Sequence, residues 1–415
     1  VSQQIDKYNK LFNNAAISPH RSKRKVFMSQ VSPVSPESTA KGTAKRTPLY
    51  SNHVRRGARM VDFAGWDMPL QYTKVLEEHE AVRQRAGLFD ISHMGLVVVT
   101  TGEVEKTREF LNKLVPQDLS KLYPGKAVYT QFLNQQGGIL DDIIIYMLPE
   151  ELPLPGFREF LVICNAANTK LDCQWMRQHA PEGAEIKLVS GDYALLALQG
   201  PRFAEVLSAQ GIQPDSLPGR FHVNAAHLSA SPVLVARTGY TGEDGVELIV
   251  PSAAVSQVWD GLLEAGQAVG LQPIGLAARD TLRLEAAYPL HGHDISANDS
   301  PLEAGLGWSV KLEKPVEYVG QAALKRQKEQ GLARKFYCFK LKKKTIPRQD
   351  DLLLWNGQPV GKVTSGSISP TLNEPIGMGY IKSGIVSGPG DVIQVRIRGA
   401  EVDAEIVERP FYKAR

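Results

Sequence analysis

At 415 residues, with 43% hydrophobic and 22% charged residues, the chain has length for two or three cores, and no apolar run approaches the roughly 18 residues that span a bilayer. The net charge of +4 divides unevenly: residues 1–46 hold nine Lys or Arg against Asp6 and Glu37, a local +7 that leaves the remainder at −3. The basic balance therefore belongs to the tail and gives no warrant for nucleic-acid binding by the body, while Cys164, Cys173 and Cys338 form no CxxC pair, offer no zinc quartet and suit a reducing compartment.

Taken in chain order, residues 1–46 are poor in aromatics and rich in Ser, Pro, Lys and Arg, which predicts a disordered basic tail. A basic, acid-poor segment fits an organellar transit peptide, yet Pro33 and Pro36 interrupt any long amphipathic helix. With Val1 opening the chain, a start placed too early, Met28 being the initiator, is the preferred alternative. The body begins at Thr47. Spacing predicts a helix over 77–85, a strand over 97–100 and a helix over 101–114. Two strand-like runs, 127–133 and 139–146, flank Asn134-Gln-Gln-Gly-Gly138 and read as a hairpin. A strand at 160–164, a helix over 167–179, a strand at 193–198 and helices over 202–210 and 252–269 follow. These elements intermix without a regular βαβ repeat, which points to an α+β body at 47–311 in two subdomains. Residues 312–333 read as a charged helical connector. From 334 to 415 the pattern becomes all β, with runs at 336–341, 352–355, 359–364, 392–397 and 404–407, and Asn356-Gly357 as a type I′ hairpin cue. A small barrel or sandwich is expected there.

The stretch Arg237-Thr-Gly-Tyr-Thr-Gly-Glu-Asp-Gly-Val-Glu247 is a Gly-rich turn between strand-like runs, and Arg279 follows on a predicted helix, 275–285. Together they bring two carboxylates and a guanidinium to the end of a sheet, which suits a polar heterocycle with an amide-and-amine edge, such as a pterin or purine. Asp141-Asp142 interrupts a run of isoleucines. Neighbouring strand residues point to opposite faces, so only one of the two enters a given pocket, and an acid on an apolar strand needs a function or a hydrogen bond.

Other candidates carry less. Residues 63–72 crowd aromatics around Gly65 and Pro69, a packed loop or the wall of a flat ligand. His93 reads as a satisfied structural histidine. His291-Gly-His293-Asp294 has no evident third ligand, so a metal site is set aside. Gly357-Gln-Pro-Val-Gly-Lys362 lacks the spacing, hydroxyl and helix of a phosphate loop. No GxGxxG follows a strand, and neither HExxH nor GxSxG occurs. The basic run Lys340–Lys344 is either a solvated strand edge or a dock for an acidic partner.

Taken together, Thr47-Pro-Leu-Tyr50, Phe63-Ala-Gly-Trp66, Phe89–Met94, Gly137–Asp142, Asn165-Ala, Leu196–Pro201, Arg237–Glu247, Gly275–Glu285, Pro301–Trp308, Gly361–Gly366 and Pro410-Phe-Tyr412 resemble, in order, the aminomethyltransferases of the glycine cleavage system, the T-protein family. The resemblance covers 47–415. It implies a three-domain cloverleaf around a folate cavity, closed by a C-terminal β-barrel. It implies transfer of the methylene carbon from the aminomethyl-lipoyl arm of H-protein to tetrahydrofolate, releasing ammonia and giving 5,10-methylenetetrahydrofolate. By the same resemblance Asp142 is the catalytic carboxylate, and Glu247, Arg279, Tyr412 and Asn165 hold the folate. Tetrahydrofolate is then a co-substrate, with no metal and no flavin. Lipoylated H-protein is the partner, nucleic acid and membrane are not, and the setting is a bacterial cytoplasm, or the mitochondrial matrix if 1–46 is a transit peptide. Sarcosine- and dimethylglycine-oxidising enzymes share the body but add a flavin domain, for which no dinucleotide fingerprint exists here. A non-catalytic folate-binding protein of iron–sulfur assembly is the alternative, and Asp142 beside Glu247 and Arg279 argues against it.

Overall fold

The structure, a computed structural model, describes residues 44–150 and 152–414. The expected tail and its two alternative origins fall largely on 1–43, outside the described residues. The tail's boundary needs correction, because Lys45–Arg46 is a short parallel strand paired with Trp66 and Asp67. Arg46 Nε meets Asp67 Oδ2 at 3.2 Å and Lys45 lies over the Trp66 ring, so charge and aromatic partners hold residues whose composition reads as tail.

Two sheets packed face to face form the centre of the body. One has six strands, in the order Val223–Leu228, Ser231–Ala236, Gly245–Pro251, Tyr193–Gln199, Gly87–Asp90 and Gln272–Pro273. The other has five: Ala127–Leu133, Ile139–Met147, Phe160–Cys164, Gly95–Thr100 and Glu185–Leu188. Leu195, Ala197, Leu234 and Ile249 of the first sheet pack on Leu96, Val98, Tyr146 and Leu161 of the second. The alternate residues face outward onto helices. Leu196, Leu198, Val246 and Leu248 meet Phe203–Ala209 and Val255–Ala265, whereas Val97, Val99, Ile143 and Ile145 meet Val104–Asn112 and Thr169–His179. Strands covered on both faces are apolar without alternation, which is why Leu195–Leu198 and Leu96–Val99 read as continuous runs. Each fully buried Leu contributes about 1.5–3 kcal/mol.

The C-terminal strands Arg334–Leu341, Leu352–Trp355, Gln358–Ser369, Glu374–Lys382, Val392–Ile397 and Ala400–Val407 close into a barrel. Asn356 and Gly357 both have positive φ, as the type I′ cue requires. Glu374–Lys382 went unpredicted, since Pro375, Gly377 and Gly379 depress its strand propensity. The aromatic stretch 63–72 is not a loop: Trp66–Gln71 pairs antiparallel with Arg59–Phe63 around Ala64-Gly65. Ala64, at φ 52, takes a conformation its side chain disfavours, so Gly65 alone of the pair signals the turn. In 312–333 only Gln321–Gln330 is helical. Among the described residues no helix is long and apolar enough to cross a membrane.

Candidate active site

Residues of both facing sheets, with others from 286–291 and 305–308, line a cavity of about 480 Å³. Strand parity assigns the acids. Asp142 shares the inter-sheet face of its strand with Ile144 and Tyr146, while Asp141 shares the helix face with Ile143 and Ile145. Only Asp142 lines the cavity. From the opposite sheet Glu247 enters on the face of Ile249. Arg279 arrives from the helix Leu276–Glu285, on the side of Ala278 and Leu282. Three residues far apart in sequence thus face one space.

Their surroundings set their charge. Asp142 Oδ2 accepts from the Tyr129 hydroxyl at 3.1 Å and Oδ1 from Asn165 Nδ2 at 2.9 Å. Burial, then the neighbouring charge of Asp141, pushes its carboxyl up to about 6 despite these bonds and the nearby His291. Glu247 Oε2 accepts from Thr238 Oγ1 at 2.6 Å. Burial raises its pKa, and the Thr238 bond and the Arg279 charge oppose the rise. Arg279 lies 4.6 Å from the centre of the Tyr240 ring and enters none of the ion pairs seen among the described residues, so its donors remain available to a ligand.

Flat surfaces complete the cavity. Tyr129 stacks with Trp308 at 5.5 Å between centroids, and Tyr240 with Tyr288 at 5.8 Å. All four line the space. Such faces accept a planar heterocycle, while a carboxylate and a guanidinium hold its polar edge. Sequence reasoning did not single out Tyr129, Trp308, Thr238 or Tyr240. The last two lie inside the Gly-rich motif and Trp308 inside Pro301–Trp308, so their signal was present. Tyr129 reaches Asp142 only as a diagonal neighbour across the hairpin.

Asn165 lines the cavity. Tyr412 does not appear in its lining. Its ring lies 4.1 Å from the Arg83 guanidinium, and its N–H donates to Glu285 O at 3.0 Å. Arg83 itself pairs with Glu243 and Glu285. Burial opposes ionisation of Glu285, but His79, Arg83 and Ser369 hold its carboxyl down to about 2. The terminal residues that reach the cavity are Arg409 and Pro410, with Arg409 donating to Ala304 O and Gly305 O.

His93 is buried against Phe63, but its Nδ1 has no hydrogen-bond partner, which corrects the expectation of a satisfied histidine. Burial and the charge of Arg279 push its pKa down to about 3. His291 and His293 do not act together: His291 binds Asn168 Nδ2 and the Ile139 carbonyl, while His293 is exposed. Lys340 pairs with Glu374, and Lys342, Lys343 and Lys344 are exposed.

Comparison with known proteins gives an independent line. The GCVT N-terminal domain family matches residues 49–314, and the glycine cleavage T-protein C-terminal barrel domain family matches 334–413. An aminomethyltransferase of Halothermothrix orenii is 44% identical over 368 residues, which is 88% of this chain and 99% of the relative. One from Geobacillus kaustophilus is 43% identical over 375 residues, 89% of this chain and 99% of the relative. The crystal structure of glycine cleavage system aminomethyltransferase T from Bartonella henselae superposes with a TM-score of 0.81 at 34% identity, covering 90% of this chain and 99% of that one.

Proposed function

The chain belongs to the glycine cleavage T-protein family of aminomethyltransferases, and from that premise we propose that it uses tetrahydrofolate as acceptor and the lipoyl arm of H-protein as donor. The carbon's bonds to the lipoyl sulfur and to its own amino group break, and it forms two new bonds to folate nitrogens. Ammonia, 5,10-methylenetetrahydrofolate and a dihydrolipoyl arm result. The observation that carries this reading is the convergence of Asp142 and Glu247 from facing sheets, with Arg279 and two aromatic stacks, on one cavity.

Glu247 accepts from the pterin N–H and amino groups, a two-pronged contact selective for that edge. Arg279 holds a folate oxygen, and Asn165 fixes the Asp142 carboxylate. Asp142 has two possible roles by chemistry, polarising a folate amine or stabilising the iminium cation formed as the thiolate leaves. The electrostatic role is favoured, because a folate amine needs little deprotonation before attack. A carboxyl pushed up to about 6 is ionised above neutral pH yet poorly solvated, so a developing cation gains more from it than from an acid in water. Tyr412 supports the site indirectly: its grip on Arg83 and Glu285 anchors the chain end that brings Arg409 and Pro410 to the cavity.

The bacterial relatives support a cytoplasmic setting. The test of the whole reading is ammonia release from aminomethyl-loaded H-protein with and without tetrahydrofolate. Fast, folate-dependent release with methylenetetrahydrofolate formed is expected. Tight folate binding without stimulated release would move the chain to the non-catalytic folate-binding class.

A further inference from the structure

Behind Asp142 the strand presents Asp141 to the helix layer. There Asp172, in the first turn of the helix Thr169–His179, Cys164 and Asp141 bring their ligand atoms within 4.8 Å of one another. Asp141 is 0% and Asp172 2% exposed. No basic side chain pairs with either acid among the described residues. Two carboxyl groups so close and so dry cannot both ionise, and one must keep a proton.

Hydrogen bonds decide which. Asp141 accepts from the Asn165 backbone N–H at 2.9 Å, from Asn165 Nδ2 at 2.9 Å and from Asn168 Nδ2 at 2.6 Å. Three N–H donors favour an anion and leave about one of its four lone-pair sites open to a further donor. Asp172 Oδ2, by contrast, has no partner. An O–H on Asp172, whose carboxyl group comes within 4.8 Å of Asp141, supplies a hydrogen bond that two anions cannot make.

We propose that Asp172 is a positioning residue, held as the neutral acid and donating its O–H to Asp141, so that the two acids behind Asp142 carry one negative charge between them. Burial, with the Asp141 charge second, pushes the Asp172 carboxyl up to about 10, the same direction. The effect reaches the cavity through Asn165, whose Nδ2 bridges Asp141 Oδ1 and Asp142 Oδ1. The titratable groups facing Asp172 are Asp141, Asp142, Cys164 and Cys173. Those facing Asp142 are Asp141, His291, Tyr129, Tyr240 and, farther off, Asp172. The kinetic consequence rests on Asp142 being the reactive carboxylate, whereas the proton on Asp172 does not.

Infrared difference spectroscopy of the full chain tests the proton directly. At about pH 8, where an acid of pKa about 6 is ionised, a protonated-carboxyl carbonyl stretch should be present. It should vanish in Asp172→Asn and persist in Asp142→Asn. Its absence from the unmodified chain, or its survival in Asp172→Asn, overturns the proposal. Kinetics supply the second readout. Asp172→Leu should lower kcat at least about tenfold, and the isosteric Asp172→Asn, whose amide donates in the proton's place, should restore it to within about threefold. The acid limb of the kcat profile in Asp172→Asn should stay within about 0.3 pH unit, because no charge has been removed. A limb lowered by about one unit would mean that Asp172 was ionised, against the proposal. Failure of the unmodified chain to release ammonia would instead count against the assigned reaction and leave the infrared result standing.

Discussion

Replacing Asp142 by Asn should make the protein less active and more stable, with the gain developing from about pH 4 to about pH 6 and persisting above it. The folded chain binds the Asp142 proton more tightly than the unfolded chain does, since burial and Asp141 raise its pKa from 3.8 to about 6. Stability is therefore complete below the unfolded value and is lost as pH rises through about 6. At about 1.36 kcal/mol for each pKa unit the ionised carboxylate costs about 3 kcal/mol, and the cavity's opening to water brings this nearer about 1–2 kcal/mol. Asn cannot ionise, and it fits the network: its oxygen accepts from Asn165 and its amide donates to the Tyr129 oxygen. Thermal unfolding at about pH 8 should rise by roughly 2–4 °C, with no rise at about pH 4. Ammonia release should fall at least about a hundredfold while folate affinity stays within several-fold. A lower midpoint at pH 8, or the same rise at both pH values, would refute the electrostatic account. Equal loss of folate binding and turnover would reduce Asp142 to a ligand-holding group.

Three further outcomes test separate parts of the structure. Glu247→Gln exchanges one acceptor oxygen for a donor, so the folate Kd should rise about 10–100-fold by titration calorimetry while release at saturating folate changes little; an unchanged Kd removes Glu247 from the pterin edge. Gly138→Ala would set a Cβ 1.9 Å from the Ala297 carbonyl oxygen; a loss of about 2–4 kcal/mol in urea unfolding is expected, and an unshifted midpoint contradicts the close approach. Reversing Lys342, Lys343 and Lys344 to Glu together should raise the KM for loaded H-protein and spare folate binding, whereas unaltered carrier kinetics reject that surface as the dock.

Elements whose signals are local are legible in the amino-acid order. Apolar runs marked the central strands, Gly137-Gly138 and Asn356-Gly357 marked two hairpins, and strand parity required Asp141 and Asp142 to part company. Motif order supplied the family. Hidden were elements whose local preference disagrees with their place: Glu374–Lys382, with its proline and glycines, is held by barrel partners on both sides, and the Ala64-Gly65 turn is held by the pairing of Phe63 with Trp66. Tyr412 entered as a cavity residue on motif position alone, yet the buried charges of Arg83 and Glu285 draw it aside and leave Arg409 and Pro410 at the opening. That Asp172 lies beside Asp141, that Tyr129 meets Asp142, and that Arg279 enters no ion pair among the described residues follow from contacts between distant segments. Propensity and periodicity act within a few residues along the chain. The ionisation and hydrogen bonding of a buried group depend on whatever other segments bring within a few ångströms, and those segments here lie up to hundreds of residues away.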